Sequence, residues 1–93
     1  MQDTALDLAI CSAIFSSFED SPIGDDVCFA AEVGLGGEIR PVNRIENRIN
    51  EAEKLGFKEI YISKHNLKAK DLGQFKIKVH SFSKLSDTFR QLF

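Results

Sequence analysis

Three arginines offer the most definite chemistry in this 93-residue chain. Arg44 and Arg48 stand four residues apart, so on a helix they share a face. Arg40 precedes them by another four. A guanidinium is a planar fork of N–H donors, and a converging set of them suits phosphate or carboxylate. The competing use is ion pairing with Glu38, Glu46 or Glu51, and the sequence leaves both uses open. Lys54 and Lys64, with Lys58, Lys68, Lys70, Lys76 and Lys78, extend the basic character. Lysines of this kind ordinarily form a solvated face.

Other chemical patterns are weaker. Gly34-Leu35-Gly36-Gly37 lacks the spacing of a dinucleotide fingerprint, and no Lys-Ser/Thr follows it as in a phosphate loop. It reads as a hairpin turn, so no ATP site is expected in this chain. Ser81-Phe82-Ser83-Lys84 matches S-x-x-K, but the partner motifs of that nucleophile are absent, and Ser83 reads as a helix cap. Ser63 beside Lys64 fails as a nucleophile pair, because adjacent strand residues point to opposite faces. His65 and His80 each lack a second ligand at helical or strand spacing. Cys11 and Cys28 are too few and too far apart for zinc, and they read as reduced thiols.

The elements that must position these groups follow from periodicity and punctuation. Residues 4–18 read as a helix, with Thr4 and Asp7 fitting a capping box. Leu6, Leu8, Ala9, Ile10, Ala13, Ile14, Phe15 and Phe18 nearly surround it, so it needs packing partners on most sides. Extra preceding strands or a partner subunit would supply them. Residues 27–33 (VCFAAEV) and 38–42 (EIRPV) read as the strands of a hairpin. Residues 44–55 form an amphipathic helix, with Asn43 as N-cap and Gly56 just past its end. Residues 57–63 and 75–79 alternate as strands. A short helical turn covers 66–72, and a helix over 85–92 closes the chain. The order α-β-β-α-β-β-α predicts an α/β (α+β sandwich) fold.

Composition bounds the class. Hydrophobic residues make up 43% and charged residues 28%, as in ordinary globular proteins. No apolar run approaches the ~20 residues of a membrane span, and acidic Asp3 and Asp7 stand where a secretory signal would be basic. A cytoplasmic protein is expected. The net charge of −2 hides an asymmetry. Residues 1–39 carry eight acids and no Lys or Arg, whereas residues 40–93 carry all 12 bases against six acids. A basic half can attract polyanions even when the whole is acidic.

Residues 32–57, EVGLGGEIRPVNRIENRINEAEKLGF, closely resemble the C-terminal domain of the bacterial RadA/Sms DNA recombination family. The first helix, from Asp7-Leu8-Ala9 to Ser16-Ser17, and the closing order around Lys64-His65-Asn66 are also similar to it. The resemblance covers nearly the whole chain, and its core G-E-I-R-P-V-x-R-I-E-x-R is specific. That domain is itself similar to the proteolytic domain of Lon protease, with the fold called ribosomal protein S5 domain 2-like. Lon-type proteases use a lysine amine to activate a serine nucleophile. Their P-S-A-G serine matches Thr4-Ala5-Leu6-Asp7, which places Ala5 at the nucleophile. Their P-x-G-G-L lysine matches the stretch after Pro41, which places Glu46 at the base.

The resemblance therefore implies a protease fold without its dyad, and no catalytic residue or cofactor in this chain. It implies a partial Lon-like domain over 1–93, with the zinc finger and the RecA-like motor, and hence zinc and ATP/Mg, in other parts of the parent protein. It further implies a nucleoid-associated hexamer acting on single-stranded or branched DNA, for which Arg40, Arg44, Arg48, Lys54 and Lys64 are the candidate phosphate contacts. A purely structural hexamerisation domain is the alternative.

Overall fold

The computed structural model describes residues 4–93. A 3₁₀ turn at Thr4–Leu6 runs into helix α1, Asp7–Glu19. Strands β1 (Val27–Ala30), β2 (Glu32–Val33) and β3 (Ile39–Arg40) follow, then α2 (Ile45–Lys54). Strand β4 (Glu59–Ser63), a 3₁₀ turn (Ala69–Gln74), β5 (Lys78–Phe82) and α3 (Leu85–Leu92) complete the chain. The architecture is a mixed α/β domain with a parallel sheet and helices.

The main sheet has the order β1-β4-β5, and both pairings are parallel. Its central strand shows why the alternating EIYIS run lies there. Ile60 and Ile62 point to one face, where they pack with Ile45, Ile49 and Ala52 of α2. Tyr61 points to the other, into a cluster with Leu8 of α1 and Ile39, flanked by Phe29, Phe82 and Leu85. The sheet is thus covered by α2 on one side and by α1 and α3 on the other. Parallel strands require crossover connections, and α2 is the crossover from β1 to β4.

The 27–33 run is not one strand. At Ala31 the backbone leaves the sheet: its N–H donates to the Ala5 carbonyl and its carbonyl accepts the Leu8 N–H, both at 3.1 Å. These bonds tie β1 to the start of α1 and separate off β2, which pairs antiparallel with β3 as a short hairpin. The order is therefore α-β-β-β-α-β-β-α. Gly37, at φ +83°, closes the hairpin turn by donating to the Gly34 carbonyl.

Caps depart from the sequence reading. No side chain caps α1, and the Asp7 carboxylate instead accepts the Val33 N–H at 3.3 Å. The residue preceding α2 is Arg44, not Asn43, and it sits in the left-handed region at φ 55°. Lys84 precedes α3, and the Ser83 carbonyl accepts the Ile39 N–H. The end of α2 is as expected: Gly56 at φ +90° donates to Glu53, and Phe57 donates to Ala52. This is the Schellman arrangement, which satisfies two orphan carbonyls. The last strand starts three residues later than its alternation suggests. The Ile77 N–H is taken by the Glu53 carboxylate at 3.0 Å, and the ladder to β4 begins at Lys78. Among the described residues, no helix is long and apolar enough to cross a membrane.

Candidate functional site

The arginines gather where β3 passes into α2. Arg40 ends β3 and is exposed, with its guanidinium 3.3 Å from the Glu38 carboxylate. Glu38 also accepts the Gly36 N–H at 3.0 Å. Its own backbone N–H, the Arg40 guanidinium and that Gly36 bond hold the carboxyl below the usual carboxylate range. The pairing use left open by the sequence is thus realised for Arg40. Solvent screens an exposed pair of this kind, so it holds the guanidinium weakly and leaves it able to exchange onto another anion.

Arg44 and Arg48 share one wall of an open groove of about 470 Å³ between α2 and the edge of β1. Asn47 and Glu51 continue that wall, and Cys28, Phe29 and Ala30 supply the floor. The Arg48 guanidinium folds back on Asn43, with Nε donating to the carbonyl at 2.9 Å and Nη2 to Oδ1 at 3.3 Å. Arg44 is exposed, and its left-handed backbone turns the chain into α2. Its carbonyl accepts the Arg48 N–H at 3.1 Å, so the two arginines share one helical turn. Burial pushes the Cys28 thiol on the floor up to about 11. It is a poor nucleophile at neutral pH.

Lys64 is exposed directly after β4. The neighbouring Asn66 side chain bonds both backbone polar groups of Val42, at 3.1 and 2.8 Å. That brings the Lys64 turn alongside the arginine segment, and His65 and Lys68 arrive with it. The sequence reading missed this role of Asn66, because a lone Asn after a strand gives no hint of a partner 24 residues away. Lys54 is not brought in. It ends α2, ten residues beyond Arg44, or roughly 15 Å along the helix axis.

The positions that the resemblance to Lon-type proteases assigns to the dyad are Ala5 and Glu46. Ala5 is buried in the first 3₁₀ turn, and Glu46 is exposed in the first turn of α2. A methyl group supplies no nucleophile, and a carboxylate there suits the positive end of the helix dipole. Ser63 is buried, its hydroxyl donating to the Ile39 carbonyl at 3.0 Å and accepting the His65 N–H, while Lys64 faces solvent. His80 lies 2.8 Å from Glu59 and stacks on Tyr61, a packing role.

A model of the family described as subunit ChlI of Mg-chelatase matches residues 1–66. The DNA repair protein RadA of Streptococcus pneumoniae is 55% identical over 67 residues, covering 72% of this chain and 16% of that protein. RadA of Bacillus subtilis is 52% identical over 67 residues, 72% of this chain and 15% of the relative. RadA of Listeria monocytogenes is 50% identical over 66 residues, 71% and 14% respectively. The chain thus spans about a sixth of the length of these relatives. Identity this high across most of its residues carries the conclusion that the chain belongs to the RadA family of DNA repair proteins.

Proposed function

We propose that this chain is a non-proteolytic, Lon-like assembly and DNA-contact module of a RadA-type DNA-dependent ATPase. The parent protein would process recombination intermediates and promote branch migration as a cytoplasmic, nucleoid-associated hexamer. ATP/Mg and zinc would be bound by its other domains. The observation that carries the reading is the cluster of exposed Arg40, Arg44 and Lys64 around the β3-to-α2 turn, with Arg48 beside it. Cations on a fixed backbone recognise phosphate without reading bases, and such contacts position rather than specify. Ala5 and Glu46 at the dyad positions favour a scaffold over a peptidase.

Fluorescence anisotropy on labelled single-stranded and branched DNA tests this. Each neutralised phosphate adds about 0.7–0.9 to the slope of log affinity against log salt. Replacing Arg40, Arg44 and Arg48 together by Ala should weaken binding and flatten that slope by about 2–3. Equal affinity for the wild type and the triple variant would remove the DNA contact.

A purely structural hexamerisation role is favoured by a different observation. Leu6 at the end of the first 3₁₀ turn and Ile10, Ile14 and Phe18 of α1 form an exposed apolar stripe. Under that reading the arginines pair with acids across a subunit boundary, so Arg44→Glu changes the oligomer mass measured by light scattering and leaves DNA affinity as it was.

A further inference from the structure

One polar side chain joins the turn after β4 to the turn after β3. Asn66 Oδ1 accepts the Val42 N–H at 3.1 Å, and Nδ2 donates to the Val42 carbonyl at 2.8 Å. The amide thereby behaves as a one-residue strand, satisfying both backbone groups of its partner. Val42 needs this. It follows Pro41, which has no N–H, and precedes Asn43, whose carbonyl is occupied by Arg48. The same turn is fixed a second time, where the Ser63 hydroxyl donates to the Ile39 carbonyl at 3.0 Å and accepts the His65 N–H at 3.2 Å. Asn66 also donates its own N–H to the Ser63 carbonyl at 3.1 Å. The segments are thus bound at Ile39 and at Val42.

The placement of charge gives this clamp a consequence. Lys64 and Lys68 each lie two residues from Asn66, and Arg40 and Arg44 each lie two residues from Val42. Two residues span at most roughly 7 Å of chain, so the backbones of four exposed cations lie within that reach of Val42 or Asn66. Arg40 is paired with the exposed Glu38.

We propose that Asn66 is the positioning residue of the polyanion surface, holding Lys64 and Lys68 beside Arg40 and Arg44 so that a nucleic-acid backbone meets them as one site. This rests on the DNA-contact reading above. Asn66 carries no charge, so its contribution is preorganisation: the two turns are held in place before the ligand arrives, rather than ordered at its expense.

The test is a double-mutant cycle on the full chain, read by anisotropy with a fluorescein-labelled single-stranded oligonucleotide at several salt concentrations. Circular dichroism and urea midpoints establish that each variant folds. Asn66→Ala should weaken binding by about 3- to 10-fold although it removes no charge. In the Lys64→Ala/Lys68→Ala background the same change should cost almost nothing further, because the groups it positions are gone. Wild-type affinity for a folded Asn66→Ala, or a loss that adds in full to that of the lysine pair, would overturn the role of Asn66. A continued loss in the arginine triple variant would then leave the DNA-contact reading standing. Absence of salt-sensitive binding by the wild type would sink both. Should Asn66→Ala not fold, Asn66→Ser, which retains a hydroxyl near the Val42 N–H, enters the same cycle with the same criteria.

Discussion

Arg44 combines two features that are seldom found in one residue. It is a large L-residue at φ 55°, and it is an exposed cation on the groove wall. Left-handed backbone costs a residue with a Cβ roughly 1–2 kcal/mol, and glycine escapes that cost. Arg44→Gly and Arg44→Ala both delete the charge, but only Gly relieves the backbone. Urea denaturation should find Arg44→Gly roughly 1 kcal/mol more stable than Arg44→Ala, with the two equally weakened on DNA. Equal stability would mean that the left-handed turn carries no strain. Cys28 allows a pH prediction. Burial raises its pKa from the ordinary thiol value of 9.0 to about 11. The unfolded thiol ionises first, so its contribution to stability is complete below pH 9 and is lost as pH climbs towards 11. At pH 8 the native chain should alkylate at Cys28 far more slowly than the urea-unfolded chain, as followed by peptide mass spectrometry.

At the scale of elements, α1 has two unlike faces. Leu8 is fully buried against Ala31, Ile39 and Tyr61, whereas Ile14 and Phe18 are 64% and 86% exposed. Leu8→Ala should cost about 2–5 kcal/mol, as buried large-to-small changes do. Ile14→Lys with Phe18→Lys should stay within about 0.5 kcal/mol per site. Urea midpoints compare them directly, and a large loss from the lysine pair would show that this face is covered in solution. The all-round apolar pattern of residues 4–18 was legible as a demand for partners, and part of that demand is unmet within the described residues. Helix α3 and the end of α2 were legible because their signals are local: an apolar period, and Gly56 at the positive-φ position that ends α2. The break at Ala31 was not legible, since its bonds run to Ala5 and Leu8 on a distant element. The three-residue delay of β5 has the same origin. Phe75 and Ile77 alternate as strand residues should and pack in the core, but a helix carboxylate takes the Ile77 N–H that a neighbouring strand would otherwise bond.

In the whole molecule the acidic and basic stretches of the chain share one sheet. Strand β4, from the basic stretch, lies between β1 of the acidic stretch and β5. The sequence by itself determined the inventory: which residues are apolar at strand and helix periods, and which carry charge. Its motif around GEIRPV also sufficed to reach the RadA family, because motif resemblance survives without coordinates. Only the tertiary structure decided which charged segments adjoin. The bonds from Asn66 to Val42, 24 residues apart, set the turn that carries Lys64 beside the segment that carries Arg40 and Arg44, whereas Lys54 stands at the far end of α2. Periodicity reports the local geometry of one segment, whereas a hydrogen bond between two turns depends on how the sheet brings their ends together.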